Sequence, residues 1–193
     1  MSVYKSRAEI ATIDCALVTI AIDNNGTVDE FGFETSNQID VATQTEEQDA
    51  VKLVIKGKLK AQKKKNVVVT GNQITLHDNV FNPELVIALQ GGTATYDSTT
   101  GALTGYTPPV VGADFQPTDF TLNAYSAQYN AAGQIVNYEK ISYPNCTGNP
   151  ISFNSQDNTF RAPEYVIDSA PNNGEAPYVI TYVDSLPTLV TRS

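Results

Sequence analysis

Histidine, cysteine and paired carboxylates are where chemistry would be sought first, and this sequence offers few of them. His77 is the only histidine in the 193 residues, and it sits in His77-Asp78-Asn79. A histidine–aspartate pair that works as base and orienter needs a nucleophile, and no G-x-S-x-G elbow occurs. Neighbouring residues on a strand also point to opposite faces, so His77 and Asp78 are not expected to cooperate. Asp29-Glu30 and Glu46-Glu47 are the acidic pairs. A glycosidase needs two carboxylates converging across a cleft, and with no tryptophan in the chain any sugar platform would fall to Tyr or Phe. Gly91-Gly92 follows a helix signal, whereas a phosphate cradle precedes its helix at the positive dipole end. No Walker or dinucleotide pattern is present. Cys15 and Cys146 could form one bridge at most, and no metal-ligand spacing exists. They are expected to be free, buried thiols in a reducing cytoplasm. Asn145-Cys146-Thr147 matches a glycosylation acceptor only formally, because no signal peptide is read at Met1-Ser-Val-Tyr-Lys-Ser-Arg. No catalytic, cofactor-binding or metal-binding residue is assigned, and the expectation is a protein that is not an enzyme.

Composition points elsewhere. Hydrophobic residues make up 41 % of the chain and charged residues only 17 %, below the usual quarter of a soluble domain. Thr, Asn, Gln, Ser and Tyr replace the missing charge, as in exposed strands and surfaces that touch other protein. The net charge of −9 argues against duplex binding by phosphate neutralisation. It suits a wall that repels a polyanion. Nine of the twelve basic residues precede position 67. No apolar run is long enough to cross a membrane.

The elements read as follows. A β-branched run at 15–22 ends at Asp23-Asn24-Asn25-Gly26, a hairpin signal, and resumes at Val28. Phe31 and Phe33 share one face of that second strand, with Glu30 and Glu34 on the wet one. Residues 36–50 are polar and fit no period, so a long, functional loop is expected there. From 51 to 60, Val51, Leu53, Ile55 and Leu59 alternate with Lys52, Lys56, Lys58 and Lys60, which predicts a buried apolar face and a cationic one. Lys63-Lys64-Lys65 reads as a turn. Strands follow at 67–69 and 73–78. Asn82, Pro83 and Glu84 open a buried helix over 82–90, which Gly91-Gly92 closes. A short strand pair and an extended loop occupy 93–119. Strands at 120–129 and 134–143 join through Asn130-Ala-Ala-Gly133, and three more are expected at 150–154, 158–168 and 177–183. The fold class is all-β, a sandwich or barrel with one short flanking helix, in a single domain. Seven tyrosines fall on the C-terminal strands, suited to cross-strand pairing and to subunit contact.

The stretch Thr70-Gly-Asn-Gln-Ile-Thr-Leu-His-Asp-Asn-Val-Phe-Asn-Pro-Glu-Leu-Val-Ile-Ala-Leu-Gln-Gly-Gly92 resembles the strand–helix segment of the major tail (tail tube) proteins of long-tailed bacteriophages. Asn158-Thr-Phe-Arg-Ala-Pro-Glu-Tyr-Val-Ile-Asp-Ser-Ala-Pro171 and Pro177-Tyr-Val-Ile-Thr-Tyr-Val-Asp-Ser-Leu-Pro187 are similar to that family's closing strands. Together they span about a quarter of the chain. The resemblance implies hexameric rings whose inner sheets join into a barrel and stack into a hollow tube. DNA passes along it without specific binding, in a virion tail assembled in the host cytoplasm beside other tail proteins. It implies inter-ring contacts by the loop at 36–50, through Asn37, Gln38, Ile39, Asp40, Val41, Thr43, Gln44, Glu46 and Glu47. It also implies a lumen made acidic by Glu30 and Glu34. On this reading, removing residues 38–48 is expected to leave a folded monomer that no longer polymerises. The alternatives are a tube subunit of a contractile injection system or tailocin, and a β-sandwich module that binds carbohydrate or a receptor. Lys52, Lys56, Lys58 and Lys60 sit uneasily with an acidic bore, and the sequence leaves their face open.

Overall fold

The computed structural model describes residues 12–24, 26–112, 117–152, 157 and 163–188. The N-terminal segment before Thr12, the turn residue Asn25, and the parts of two expected strands at 153–154 and 158–162 lie outside the described residues. The described chain is all-β with one short helix, as expected. Its strands are β1 (Thr12–Asn24), β2 (Thr27–Phe33), β3 (Ser36–Gln48), β4 (Val51–Ile55), β5 (Lys58–Lys63), β6 (Asn66–Asp78), β7 (Thr93–Tyr96), β8 (Leu103–Thr107), β9 (Phe120–Tyr129), β10 (Ile135–Gly148), β11 (Glu164–Ser169) and β12 (Val179–Val183), with α1 (Pro83–Gln90) between β6 and β7.

One eight-stranded antiparallel sheet runs β2-β1-β9-β10-β11-β6-β3, with β12 also on β10. The fourteen-residue β10 makes this possible. Its first part, Tyr138 to Ser142, pairs with β12, and its last, Cys146 to Gly148, pairs with β11. Between them the register slips, and Asn145 turns to φ 47°. Such a bulge bends a strand, and so β10 passes from one layer of a sandwich-like core to the other. The inward residues of both layers meet there. Val18, Ile20 and Leu122 from one side and Ile74, Leu76, Tyr165 and Ile167 from the other are fully buried.

The helix follows its sequence signals. The Asn82 Oδ1 accepts from the backbone N–H of Glu84 at 3.1 Å and of Leu85 at 3.3 Å. Pro83 occupies the first turn, and Gly91 closes the helix at φ 72°, its N–H on the Ile87 carbonyl. Leu85, Val86 and Leu89 are fully buried. β10 crosses this helix so closely that a Cβ on Gly148 would lie 2.4 Å from the Leu89 Cα. The Asn130-Ala-Ala-Gly133 hairpin also forms, with Asn130 Oδ1 accepting from the N–H of Ala132 and Gln134.

Beyond β10, the described part of the strand expected at 150–154, residues 150–152, is not a strand, and three further expectations fail between β2 and α1. Residues 36–48 are no loop but the thirteen-residue strand β3, paired with β6 along its length. Its polar sequence hid it because almost every position is wet on both faces, and a strand with no buried face has no period to read. The run at 51–60 is not one strand but a hairpin, β4 and β5, turning at Lys56 (φ 48°) and Gly57 (φ 73°). Both positive φ values are what a two-residue hairpin turn requires, and a lysine in the first position gave no signal. The pieces at 67–69 and 73–78 are one strand. Gly71, which reads as an interruption, is in fact a close approach: a Cβ there would stand 2.2 Å from the Ser169 carbonyl oxygen.

Gly71→Ala is therefore expected to cost about 3 kcal/mol, and loss of the cap in Asn82→Ala about 1 kcal/mol. Urea unfolding midpoints at fixed slope measure both.

Candidate functional site

The residues that could have carried chemistry are scattered. His77 Nε2 lies 3.4 Å from the Asp40 Oδ2 on the neighbouring strand, while Asp78 is fully buried and receives the Val80 N–H. The two adjacent side chains therefore serve opposite faces. Both cysteines are free thiols. Burial, with the Asp78 charge second, raises the Cys15 thiol, and burial pushes Cys146 up to about 11. Among the described residues, no three His, Cys, Asp or Glu side chains gather as metal ligands. A shallow open groove between β1, β3, β9 and β10 is lined by Cys15, Ile39, Ala124 and Ile141, with Tyr143 its one aromatic.

What stands out is surface. Beyond the body, β3 and β6 run on together and continue into β4 and β5, so that residues 36–78 form one long hairpin. Every residue from 40 to 70 is exposed. The part beyond Thr45 and Val69 projects roughly 35 Å at the usual rise per strand residue. Pairing partners share a face of a ribbon, and here they mix types. Val51 pairs with Lys63 and Ile55 with Lys58 on one face, and Val54 with Leu59 on the other. Val67 stands opposite Glu47 and Val68 opposite Glu46. The expected division into a buried apolar face and a cationic face is thus absent. Val51 is 63 % exposed, Val54 56 % and Leu59 55 %. None of the described residues covers them. Polar contacts on the arm are local: Lys65 pairs with Glu47 at 2.5 Å, and Lys63 donates a hydrogen bond to the Gln48 side-chain oxygen at 3.3 Å.

The nine residues assigned to inter-ring contact divide accordingly. Asn37 donates to the Asn79 side chain, Gln38 to Asp40, and Gln44 to Asp168. Ile39 is half-buried against the core. Asp40 and Val41 lie beside the body in the ladder with Thr75 and Ile74, and Thr43 pairs with Asn72. Only Glu46 and Glu47 lie on the projecting part. Sequence reading placed Val51, Leu53, Ile55 and Leu59 on a buried face, and all four are exposed, as are Val54 and the valines at 67–69, on which it was silent.

Two further features complete the surface. β2 and β12 end one layer, each with one edge unpaired among the described residues. On β12, Val179, Ile180 and Tyr182 are 45–49 % exposed. Glu30 lies on β2, on the face opposite Phe31 and Phe33. Thr19 Oγ1 donates to its Oε1 at 2.7 Å, Asn123 Nδ2 donates to Thr19 Oγ1, and Ser142 Oγ to Asn123 Oδ1. This polar line crosses four strands. The same face carries Lys140, 5.7 Å from the Tyr125 ring centre. Glu34 is exposed but stands past the end of β2, in the connection to β3, so it does not share the strand face with Glu30. Of the tyrosines on the C-terminal strands and the loops beside them, Tyr125, Tyr143 and Tyr165 are buried and Tyr129, Tyr178 and Tyr182 exposed. No protein-family model matches the chain, and no curated protein gives a significant match.

The buried thiol gives a pH test. Cys146 is protonated in the folded chain up to about pH 11, whereas in the unfolded chain it ionises near 9. The unfolded state therefore binds fewer protons between these values, and stability falls as pH rises through that window. Tyr165, raised to about 12 by burial, adds to the fall above pH 10. Urea titrations at pH 8 and pH 10.5 are expected to show the loss, and Cys146→Ala to reduce the slope.

Proposed function

We propose that this chain is a structural subunit of a bacteriophage tail tube, which acts by assembling with copies of itself and performs no catalysis. Copies close into hexameric rings by pairing the free edge of β2 with the β12 edge of a neighbour. Rings then stack through the long hairpin, in place of the loop anticipated from sequence. DNA passes along the bore without specific binding, and other tail proteins meet the tube in the virion, which is assembled in the host cytoplasm.

The observation that carries this reading is the 31-residue exposed stretch from 40 to 70. Two-stranded ribbons are marginal in water on their own, and open edges bearing Val, Ile and Tyr invite strand addition. Closure around a ring removes such edges, and a head-to-tail contact generates rings or filaments. The likeness to tail tube proteins in residues 70–92 and at the closing strands supports the same assignment, as does the acidic balance of the chain. Glu30, with its polar line across the sheet, is the candidate for the inner wall, although Lys140 tempers the charge of that face. A carbohydrate-binding module is disfavoured by the groove, which presents a single aromatic side chain.

The decisive variant follows from register. Residues 38–44 pair within the body, so their removal would damage the fold. Thr45 and Val69 are cross-strand partners, so residues 46–68 are replaced by a two-residue Asn-Gly turn. The trimmed chain is expected to keep its far-ultraviolet circular dichroism and sediment as a monomer. The intact chain is expected to form rings or tubes by negative-stain microscopy at high concentration. Tubes from the trimmed chain would remove the arm from the assembly, and an intact chain that stays monomeric while binding glycans would overturn the reading.

A further inference from the structure

Two Asn-Gly pairs occur in the chain, Asn25-Gly26 and Asn173-Gly174. Such a pair can react with itself. The asparagine side chain ends in a carboxamide, and the backbone nitrogen that follows can close a five-membered ring on it. Glycine, with no Cβ, leaves that nitrogen open to approach. Asparagine counts among the thermolabile residues for this reason. The fold treats the two pairs differently.

Gly26 lies in the turn between β1 and β2. Asn24 and Thr27, on either side of it, are cross-strand partners. The Gly26 N–H donates to the Asp23 Oδ1 at 2.7 Å. That nitrogen is thus held by a carboxylate, in a turn closed by paired strands. Asn173-Gly174 lies in the connection from β11 to β12, two strands that do not pair with each other. Its hydrogen bonds fall on the flanks. The Glu175 N–H donates to the Asn172 carbonyl at 3.0 Å, and the Asn172 N–H to the Glu175 Oε2 at 3.0 Å. Among the described residues, neither the Asn173 side chain nor the Gly174 N–H makes a hydrogen bond. Both residues are exposed. Gly174 has φ 92°, and a Cβ built on it would meet nothing within 4 Å. The pair therefore has a free nitrogen, a free carboxamide and open space around them.

We infer that Asn173 is a self-modification site, where the folded chain converts asparagine to aspartate and isoaspartate through a succinimide. The Gly174 nitrogen attacks the Asn173 Cγ and gives up its proton. The N–Cγ bond forms, the Cγ–Nδ2 bond breaks, and the amide nitrogen leaves as ammonia with that proton. Water then opens the ring. Addition at the side-chain carbonyl gives aspartate, and addition at the main-chain carbonyl gives isoaspartate. The reaction needs a single folded copy and water, so it goes beyond self-assembly and does not depend on it.

Either product adds a negative charge beside Glu175, in a chain already at net −9. Isoaspartate also routes the main chain through an extra methylene, which disturbs the turn closed by Asn172 and Glu175. Two anchors bound the change. The Ala170 N–H donates to the Asn145 carbonyl at 3.1 Å, and the Asn72 Nδ2 donates to the Pro177 carbonyl at 2.9 Å. β12 starts just past the second anchor, so the new charge appears at the foot of an exposed edge strand.

The test incubates dilute intact chain at mildly alkaline pH, folded and in urea, and follows both pairs by peptide mapping with mass spectrometry. Isoaspartate is read by enzymatic methyl labelling. In urea the two pairs are expected to convert at similar rates. In the folded chain Asn173 is expected to stay within a few-fold of its urea rate, and Asn25 to slow several-fold more than Asn173. Native ion exchange is expected to show an acidic species that grows with time and is lost in Asn173→Gln, whose longer side chain disfavours the ring. Circular dichroism verifies that this variant folds. Folding that protects Asn173 as strongly as Asn25, or an acidic species that persists undiminished in Asn173→Gln, would overturn the inference and leave the assembly reading untouched.

Discussion

The structure depends on a backbone requirement that one copy meets only in part. Every strand N–H and C=O needs a partner or water, and a ribbon of two strands leaves both its edges and both its faces wet. In the body, eight strands satisfy one another around a core of Val, Ile, Leu and Tyr. In the arm, residues 45–48 and 66–69 extend the β3–β6 ladder past the point where β11 and the rest of the sheet could flank it, and β4 and β5 beyond them pair only with each other. The valines and leucines there have a strand to sit on and nothing to sit against. That imbalance between a completed body and an uncovered extension is the source of the functional reading.

The division is sharp, and its hinge is visible in a few residues. Gly71 lies against the Ser169 carbonyl, and Asn72 donates from Nδ2 to the Pro177 carbonyl at 2.9 Å. Below this level β6 is flanked by β11 and β3. Above it, β6 keeps only β3, and β12 has gone to pair with β10. The proposed assembly into rings and stacks would supply the missing neighbours at β2, β12 and the arm by one device, contact between identical copies.

Much of the body was legible because its residues obey a period or a turn rule. The helix was bounded by Asn82, Pro83 and Gly91, each acting where a cap must. The hairpin at Asn130 to Gly133 and the hairpin begun at Asp23 carried their own turn chemistry. The arm was illegible for a physical reason. Periodicity reports burial, and where neither face is buried the strand leaves no trace, so β3 read as a loop. The alternation at 51–60 misled in the converse way: apolar residues were read as inward when no inside existed. Lys56-Gly57 turned the chain without the residue type that usually marks such a turn. Of the nine residues named for contact, Asn37 to Gln44 lie at the arm's root, where Asn37, Gln38 and Gln44 hydrogen-bond locally, and Glu46 and Glu47 lie on the part that projects. Of the two acidic residues proposed for the bore, Glu30 shares a polar line with Thr19 and Asn123, while Glu34 falls beyond the strand.

Hydrogen–deuterium exchange followed across a dilution series addresses the central claim most directly, because it reads the arm's own amides. If copies cover the arm and the free edges, amides in residues 45–69 and in β12 exchange rapidly in dilute protein and gain protection as concentration rises, while the body's core amides stay slow throughout. Arm amides that are equally protected at every concentration, or equally unprotected, would contradict the account.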